Sequence, residues 1–133
     1  MYYISTSHKQ RFERTFKERY HQCSLKYLAA VYLLYADLDL RLATSNAVYE
    51  RAIKFSAVKY SALTAEQYTL FRAAQDIYTG SNYITLQDLV DSGVIRPQIY
   101  RAILQALQIA RGEHMLLSAI TPFDVPQKER GEG

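Results

Sequence analysis

The sequence predicts an all-α fold, a compact single-domain bundle of five or six helices that ends in a helical hairpin. Three features of the sequence support this prediction. Gly (5) and Pro (3) are scarce, so few residues force a turn. Apolar residues recur at helical spacing, and strand-like alternation does not stand out. Helix-start residues precede most of these stretches. The length of 133 residues fits one domain, and 49% hydrophobic with 22% charged residues is typical of a globular protein.

The first predicted helix is amphipathic. It begins at the Ser-Thr-Ser cluster of residues 5–7, and Phe12 and Phe16 lie on one face. Residues 1–27 hold six basic and two acidic residues, a net charge of +4. Such a surface attracts phosphates or acidic partners, although a solvated helix face is the commoner explanation for so small an excess. The candidate basic face consists of Arg11, Arg14 and Lys17.

The second predicted helix spans residues 25–36 and is apolar all round apart from Lys26, so we expect it to be the central helix. Its apolar run is too short for a membrane span, which needs about 20 residues. A third helix is predicted from Ser45 or Asn46 to about Phe55. Its inner stripe is predicted to be Val48, Ala52 and Phe55.

The fourth and fifth helices are predicted from capping signals. Thr64 with Gln67 resembles a capping box and begins a helix that runs to about Tyr78. Thr85 caps a short fifth helix, which Gly93 ends. The fifth helix carries Leu86, Leu89 and Val90.

The sixth helix is predicted to begin at Pro97, because the first helical position does not need the missing N–H. Gly112 is a plausible helix end. We therefore assign residues 1–112 to a helical domain and residues 113–133 to a C-terminal extension that is partly helical and then flexible. The predicted core stripe of the sixth helix is Ile99, Ile103, Leu107 and Ala110.

The polar face of the sixth helix carries side chains of the types that read DNA bases, because Arg and Gln form bidentate contacts with guanine and adenine. Residues 93–103, Gly-Val-Ile-Arg-Pro-Gln-Ile-Tyr-Arg-Ala-Ile, resemble the turn and recognition helix of a Lac-repressor-type helix-turn-helix, a likeness that spans residues 85–111. Leu89 stands where that motif has a small residue, and Pro97 is unusual in its turn. An ordinary helical hairpin with a solvated polar face is the competing interpretation. The candidate partner or DNA face consists of Gln98, Arg101, Gln105 and Gln108.

Enzyme chemistry is not predicted. The sequence has no Gly-rich phosphate loop and no His-Glu-x-x-His or Gly-x-Ser-x-Gly pattern. Cys23, His21 and His8 are too few and too scattered for a zinc site, and Asp37 with Asp39 is more typical of a solvated break than of a cation site. We therefore expect no catalytic residues, no cofactor and no metal. One cysteine and the lack of a signal-peptide pattern favour a cytoplasmic location.

Tyrosine is abundant, with 12 residues. Those nearer the ends of helices either form an aromatic contact surface, as Tyr does at many protein interfaces, or close the edge of the core. The sequence leaves both interpretations open. These tyrosines are Tyr2, Tyr3, Tyr49, Tyr60 and Tyr83.

Three blocks of the sequence carry a wider resemblance. They are Ser-His-Lys-Gln-Arg-Phe at 7–12, the apolar helix 28–35 with the acidic residues after it, and Phe-Arg-Ala-Ala-Gln-Asp-Ile-Tyr-Thr-Gly at 71–80 with the helix 102–111. In these blocks the protein resembles a family of small uncharacterised all-helical bacterial proteins, a domain of unknown function common in phages and mobile elements. The resemblance implies a compact helical domain and no reaction.

These observations favour a non-enzymatic protein–protein interaction module that serves a phage or mobile element as an accessory, anti-defence or regulatory protein. We expect a protein partner and no membrane association. The alternative is a helix-turn-helix transcriptional regulator that reads DNA with residues 97–111.

Overall fold

The computed structural model describes residues 1–113, and its order of elements confirms the all-α fold. Two short 3-10 turns, Phe55–Ala57 and Tyr60–Ala62, lie between the third and fourth helices. Apart from Glu113, the predicted C-terminal extension lies outside the described residues. The six α-helices of the described part are α1 (Thr6–Arg19), α2 (Leu25–Leu34), α3 (Leu38–Ala43), α4 (Ala65–Thr79), α5 (Leu86–Val90) and α6 (Pro97–Ala110).

Helix α2 is the centre of the fold, as its apolar composition predicted. Every residue from 27 to 34 is buried, because α4 and α6 pack on α2 over most of its length and α1 lies against it. Ser24 begins α2 by accepting a hydrogen bond from the Tyr27 N–H at 3.1 Å. None of the helices between residues 1 and 113 has the length and apolar character needed to cross a membrane.

The two tyrosines of α2 tie other segments to it. The Tyr27 hydroxyl donates to the Tyr49 carbonyl and accepts from Arg19 Nη1 at 2.5 Å. The Tyr32 hydroxyl donates to the Tyr2 carbonyl. A buried hydroxyl needs a hydrogen-bond partner, so these two rings fix the N-terminal segment and the loop after α3.

Helix α1 contributes a buried histidine to the same core. The His8 ring donates from Nε2 to the Tyr32 carbonyl at 2.8 Å and accepts the Ile4 N–H at Nδ1, 3.1 Å away. A carbonyl only accepts and an amide N–H only donates, so the two partners assign the neutral tautomer protonated at Nε2. Burial lowers the pKa of His8 to about 4.

The predicted third helix is wrong in position. Helix α3 begins earlier, because the Asp37 carboxylate accepts the Leu40 N–H at 2.8 Å and acts as its cap. Ser45 does not cap a helix, since its hydroxyl donates back to the Leu42 carbonyl at 2.9 Å. The backbone then reverses direction: the Tyr49 N–H and the Ala52 carbonyl close a tight turn at 2.8 Å, and the Lys54 N–H donates to the Ala47 carbonyl at 2.8 Å. Val48 is half-buried and Ala52 is exposed in this segment, and Phe55, the first residue of the 3-10 turn that follows, is buried, so the three do not share an inner stripe.

The predicted starts of α4, α5 and α6 are confirmed. Thr64 and Gln67 form a complete capping box at α4, and Thr85 begins α5. Pro97 is the first residue of α6, and Gly112 follows this helix with a φ of +74°. These signals act over a few residues and do not depend on the rest of the fold.

Helix α6 packs chiefly on α2 and to a lesser extent on α4, whereas α5 buries none of its residues fully. The predicted hairpin is therefore a core helix preceded by a short surface helix. Part of the predicted core stripe is wrong, because Leu107 is exposed and Ala110 is half-buried. The buried apolar residues of α6 are Ile99, Ala102, Ile103, Ala106 and Ile109.

Acidification below pH 6.5 is expected to destabilise the fold through His8. The unfolded side chain takes up a proton near pH 6.5 and the folded one only near pH 4, so the free energy of unfolding decreases as the pH falls between these values. The share of His8 in this decrease is about 3 kcal/mol.

Urea unfolding of the wild type and of His8→Gln at both ends of this pH range measures that share. Gln does not titrate but can donate to the Tyr32 carbonyl, so the variant should lose less stability on acidification. An equal loss in the two proteins would contradict the assignment.

Candidate functional site

The four side chains predicted to form a partner or DNA face are not exposed together. Gln105 is only 6% exposed: its Oε1 accepts the Tyr2 N–H at 2.8 Å and its Nε2 donates to Gln108 Oε1 at 3.1 Å. The guanidinium carbon of Arg101 lies 4.3 Å from the centre of the Tyr2 ring. Gln98 is exposed at the other end of the row. The N-terminal segment therefore covers the middle of this face.

The geometry around α6 gives little support to a helix-turn-helix. Helix α5 has five residues, and residues 91–96 connect it to α6, whereas the motif uses a turn of about three or four residues. Leu89 is half-buried against the core and lines a small apolar pocket together with Ile103 and Leu107.

The three residues of the predicted basic face are not equally exposed. Arg11 donates from Nε and Nη2 to the Tyr35 carbonyl at 3.2 and 2.8 Å, at the end of α2. Burial lowers the pKa of Arg11. Arg14 and Lys17 are exposed. Arg11 therefore stabilises the end of a core helix, and only the other two are presented to solvent.

A different surface presents apolar side chains. Leu86 and Val90 are 81% and 74% exposed, and Val94, in the connection to α6, is 58% exposed. Leu86 and Val90 are four residues apart and share one face of α5, and the half-buried Leu89 borders this face on the side of the core. We call Tyr83, Leu86, Val90 and Val94 the α5 patch.

An arginine surrounded by aromatic rings lies on the outer side of α4. Arg72 is only 8% exposed. Its Nε donates to the Tyr68 hydroxyl at 2.9 Å, and its Nη1 donates to Gln75 Oε1 at 2.6 Å. We call Arg72 and the surrounding rings the Arg72 cluster; the ring centres lie 3.8 Å (Tyr83), 4.6 Å (Tyr60), 5.0 Å (Tyr68) and 5.5 Å (Phe71) from the guanidinium carbon.

The rings and hydroxyls, rather than a carboxylate, stabilise this charge. Burial by itself lowers the pKa of Arg72, but the hydrogen bond with Tyr68 and the nearby Tyr83 and Tyr60 outweigh it, so the pKa is raised. Within residues 1–113 the ion pairs are Arg96 with Glu66 and Arg111 with Glu113, and Arg72 takes part in neither. The cluster therefore holds a positive charge that no described acidic side chain pairs with.

Asp76 positions one of these rings. Its Oδ1 accepts the Ser81 hydroxyl at 2.8 Å and the Tyr83 N–H at 2.9 Å, and its Oδ2 accepts the Ile84 N–H at 2.7 Å. Gly80, with a φ of +79°, ends α4 and turns the backbone toward this carboxylate. Asp76 thereby fixes the loop that places Tyr83 over Arg72, and Tyr83 joins the Arg72 cluster to the α5 patch.

A thiol and an open cleft lie apart from the α5 patch and the Arg72 cluster. No group of three or more His, Cys, Asp and Glu side chains among the described residues is arranged to hold a metal ion. The Cys23 thiol donates to the Glu50 carbonyl at 3.0 Å, and burial raises its pKa. An open cleft of about 460 Å³ lies between the start of α4 and the connection to α6, and a weak ion pair of 3.4 Å between Glu66 and Arg96 lies on its wall.

Sequence reasoning found part of this site and missed the rest. Tyr60 and Tyr83 were among the tyrosines for which the sequence left open a contact surface or the edge of the core, and about half of each side chain is exposed. The role of Arg72 was missed. Its signal in the sequence is a Tyr four residues earlier on the same helix face, at Tyr68, but two of the surrounding rings come from outside α4.

Removing the Asp76 carboxylate is expected to release the loop from 81 to 84. Asp76→Ala leaves the Tyr83 and Ile84 N–H groups without their acceptor, and we expect a loss of about 1–3 kcal/mol in the free energy of unfolding. Amide hydrogen exchange should become faster at these two positions. Asp39→Ala, which removes an exposed carboxylate, is the control. Equal stability and unchanged exchange in the two variants would count against this role.

Known proteins add no further identification. A scan against protein-family models, a search of curated proteins and a search of solved structures each find no match. The resemblance to helical proteins of phages and mobile elements therefore stays a prediction.

Proposed function

We propose that this protein is a non-enzymatic protein–protein interaction module that binds its partner through the α5 patch and the adjoining Arg72 cluster. The exposure of Leu86 and Val90 on one face of α5 is the observation that carries the proposal. Burial of apolar surface contributes about 25 cal/mol per Å², so a partner that covers these side chains gains binding free energy. Exposed apolar side chains grouped in this way are typical of interaction sites.

The backbone under the α5 patch is held at both ends. Thr85 and Asp88 form a reciprocal capping box at 3.0 and 3.1 Å at the start of α5. After α5, the Asp91 carbonyl accepts the Val94 and Ile95 N–H groups at 3.0 Å each. A backbone that is already ordered loses less conformational entropy on binding, which favours affinity.

The Arg72 cluster adds the residue types that dominate binding energy at protein interfaces, namely Tyr and Arg. Tyr83 precedes Leu86 by three residues, and its ring lies over Arg72. The two features therefore meet at Tyr83. A partner that covers α5 would contact this ring as well.

The regulator alternative, in which residues 97–111 read DNA, draws less support from the contacts of α6. Gln105 and Arg101 are engaged by the N-terminal segment and are not available together for base contacts without its displacement. The proposal for the wider biological role, service to a phage or mobile element, rests on the sequence resemblance alone.

Partner capture by surface variants tests the proposal. Replacing Leu86 and Val90 together by Ser should lower recovery of a specific partner from host lysate at least about tenfold, because two buried aliphatic contacts are lost. The fold should keep its thermal stability, since both side chains are exposed. Quantitative mass spectrometry of the captured proteins gives the measurement.

Helix α3 offers a matched control. Leu38 and Leu42 are also four residues apart and are 52% and 55% exposed, so replacing both by Ser removes a similar apolar surface elsewhere. Retention of the partner by the α3 variant and its loss from the α5 variant is the expected result. Equal recovery with both variants would overturn the assignment. Salt-dependent binding of mixed duplex DNA that Arg101→Ala removes would instead favour the regulator.

A further inference from the structure

We propose that the Arg72 cluster is a receptor for a carboxylate of the protein partner, either an acidic side chain or the terminal carboxylate of a polypeptide. This inference rests on the proposed function and names the chemistry of the surface that the partner presents. It follows from the unpaired charge of Arg72, from its unused hydrogen-bond donors and from the position of the cluster beside the α5 patch.

The charge of Arg72 is buried without an acidic partner from the described residues. Arginine side chains are rarely buried to this extent unless they are paired. The rings of Tyr60 and Tyr83 stabilise the cation but leave its net charge in place. A carboxylate that meets this guanidinium is attracted more strongly than by a fully solvated one, because the rings already exclude much of the water.

The guanidinium also has donors to spare. It carries five N–H groups, and the hydrogen bonds to Tyr68 and Gln75 use Nε and one N–H of Nη1. Nη2 donates to no residue in the described part of the protein. In residues 1–113, Glu66 Oε2 is the one fully buried side-chain polar atom that lacks a hydrogen bond. Nη2 also lacks one, so it is not fully buried. Nη2 therefore keeps some contact with solvent, and a ligand can reach it there.

The rings restrict how that ligand approaches. The Tyr83 ring, whose centre lies 3.8 Å from the guanidinium carbon, covers one side of the cation, which favours approach of an acceptor at the Nη2 edge, in the guanidinium plane. In-plane approach is the geometry in which Arg binds a planar carboxylate. A phosphate dianion fits less well, because a single guanidinium with one open edge compensates only one of its charges.

The position beside the α5 patch defines the rest of the recognised segment. Tyr83 belongs to both surfaces. When a carboxylate of the partner binds Arg72, the partner residues next to that carboxylate therefore lie near Leu86. The partner segment that matches this surface carries a carboxylate next to apolar side chains. The carboxylate supplies orientation, and the apolar side chains supply the larger share of the binding energy.

Titration of the isolated full-length protein with small carboxylates tests the receptor without any partner. The probes are N-acetylglutamic acid α-amide for an acidic side chain, N-acetylleucine for the terminal carboxylate of a polypeptide, N-acetylleucine amide as the neutral control, and inorganic phosphate. NMR spectra of the arginine Nε–H groups and of the Tyr60 and Tyr83 rings report binding at the cluster. Arg101, which is exposed and also stacks on a tyrosine, is the internal reference.

The expected result is a saturable shift at Arg72 with one or both carboxylates, at a concentration about tenfold lower than any shift at Arg101, and none with the amide. The carboxylate that binds more tightly identifies the source. Equal or non-saturating shifts at Arg72 and Arg101, or tighter binding of phosphate than of either carboxylate, would overturn the inference. The titration contains no partner protein, so a negative result overturns only the carboxylate receptor. The proposed function is tested separately by the capture experiment with the α5 variant.

Replacing Arg72 by lysine distinguishes the role of the planar guanidinium from that of its positive charge. Arg72→Lys keeps the positive charge but removes the planar edge, so the carboxylate-induced shifts of the Tyr60 and Tyr83 rings should disappear. Arg101→Lys should leave them unchanged. Ring shifts that persist in Arg72→Lys would contradict a receptor built on the guanidinium edge. If Arg72→Lys does not fold, the wild-type titration against the Arg101 reference decides the question.

Discussion

Burial of α2 on every side is the constraint on which the rest of the structure depends. A helix with no polar face has to be covered all round, so α1, α4 and α6 each turn an apolar side toward it. Its two tyrosine hydroxyls must still be satisfied. Tyr27 and Tyr32 therefore reach to backbone carbonyls outside the helix and hold the loop after α3 and the N-terminal segment in place.

Burial of α2 also explains why the candidate site does not lie on α6. Because α6 is used against α2, its polar residues lie at the edge of the core, where the N-terminal segment covers Gln105 and Arg101. Surface left for binding is instead found on the outer side of α4 and on α5. Asp76 gives this surface its shape, since one carboxylate holds the loop that carries Tyr83 across to Arg72.

The helix starts that could be predicted from the sequence are those set by local hydrogen bonds. Thr64, Thr85 and Pro97 act on residues within one turn, and the structure has them as expected. The third helix was misplaced because several polar residues near it can each make such local bonds. Asp37 is the one that caps, and it also accepts Gln67 Nε2 of α4 at 2.9 Å, a long-range contact that local reasoning does not include.

The sequence by itself determined the all-α class and the identity of the central helix, because helical spacing, capping residues and an unbroken apolar run are properties of neighbouring residues. Only the tertiary structure decided which polar side chains are covered and which charged one is surrounded by rings. Gln105 is bound by the backbone of Tyr2, 103 positions away, and Arg72 contacts the rings of Tyr60 and Tyr83, which come from two separate connections between helices. Contacts between residues so far apart depend on how the helices pack around α2, and periodicity along the sequence holds no information about them.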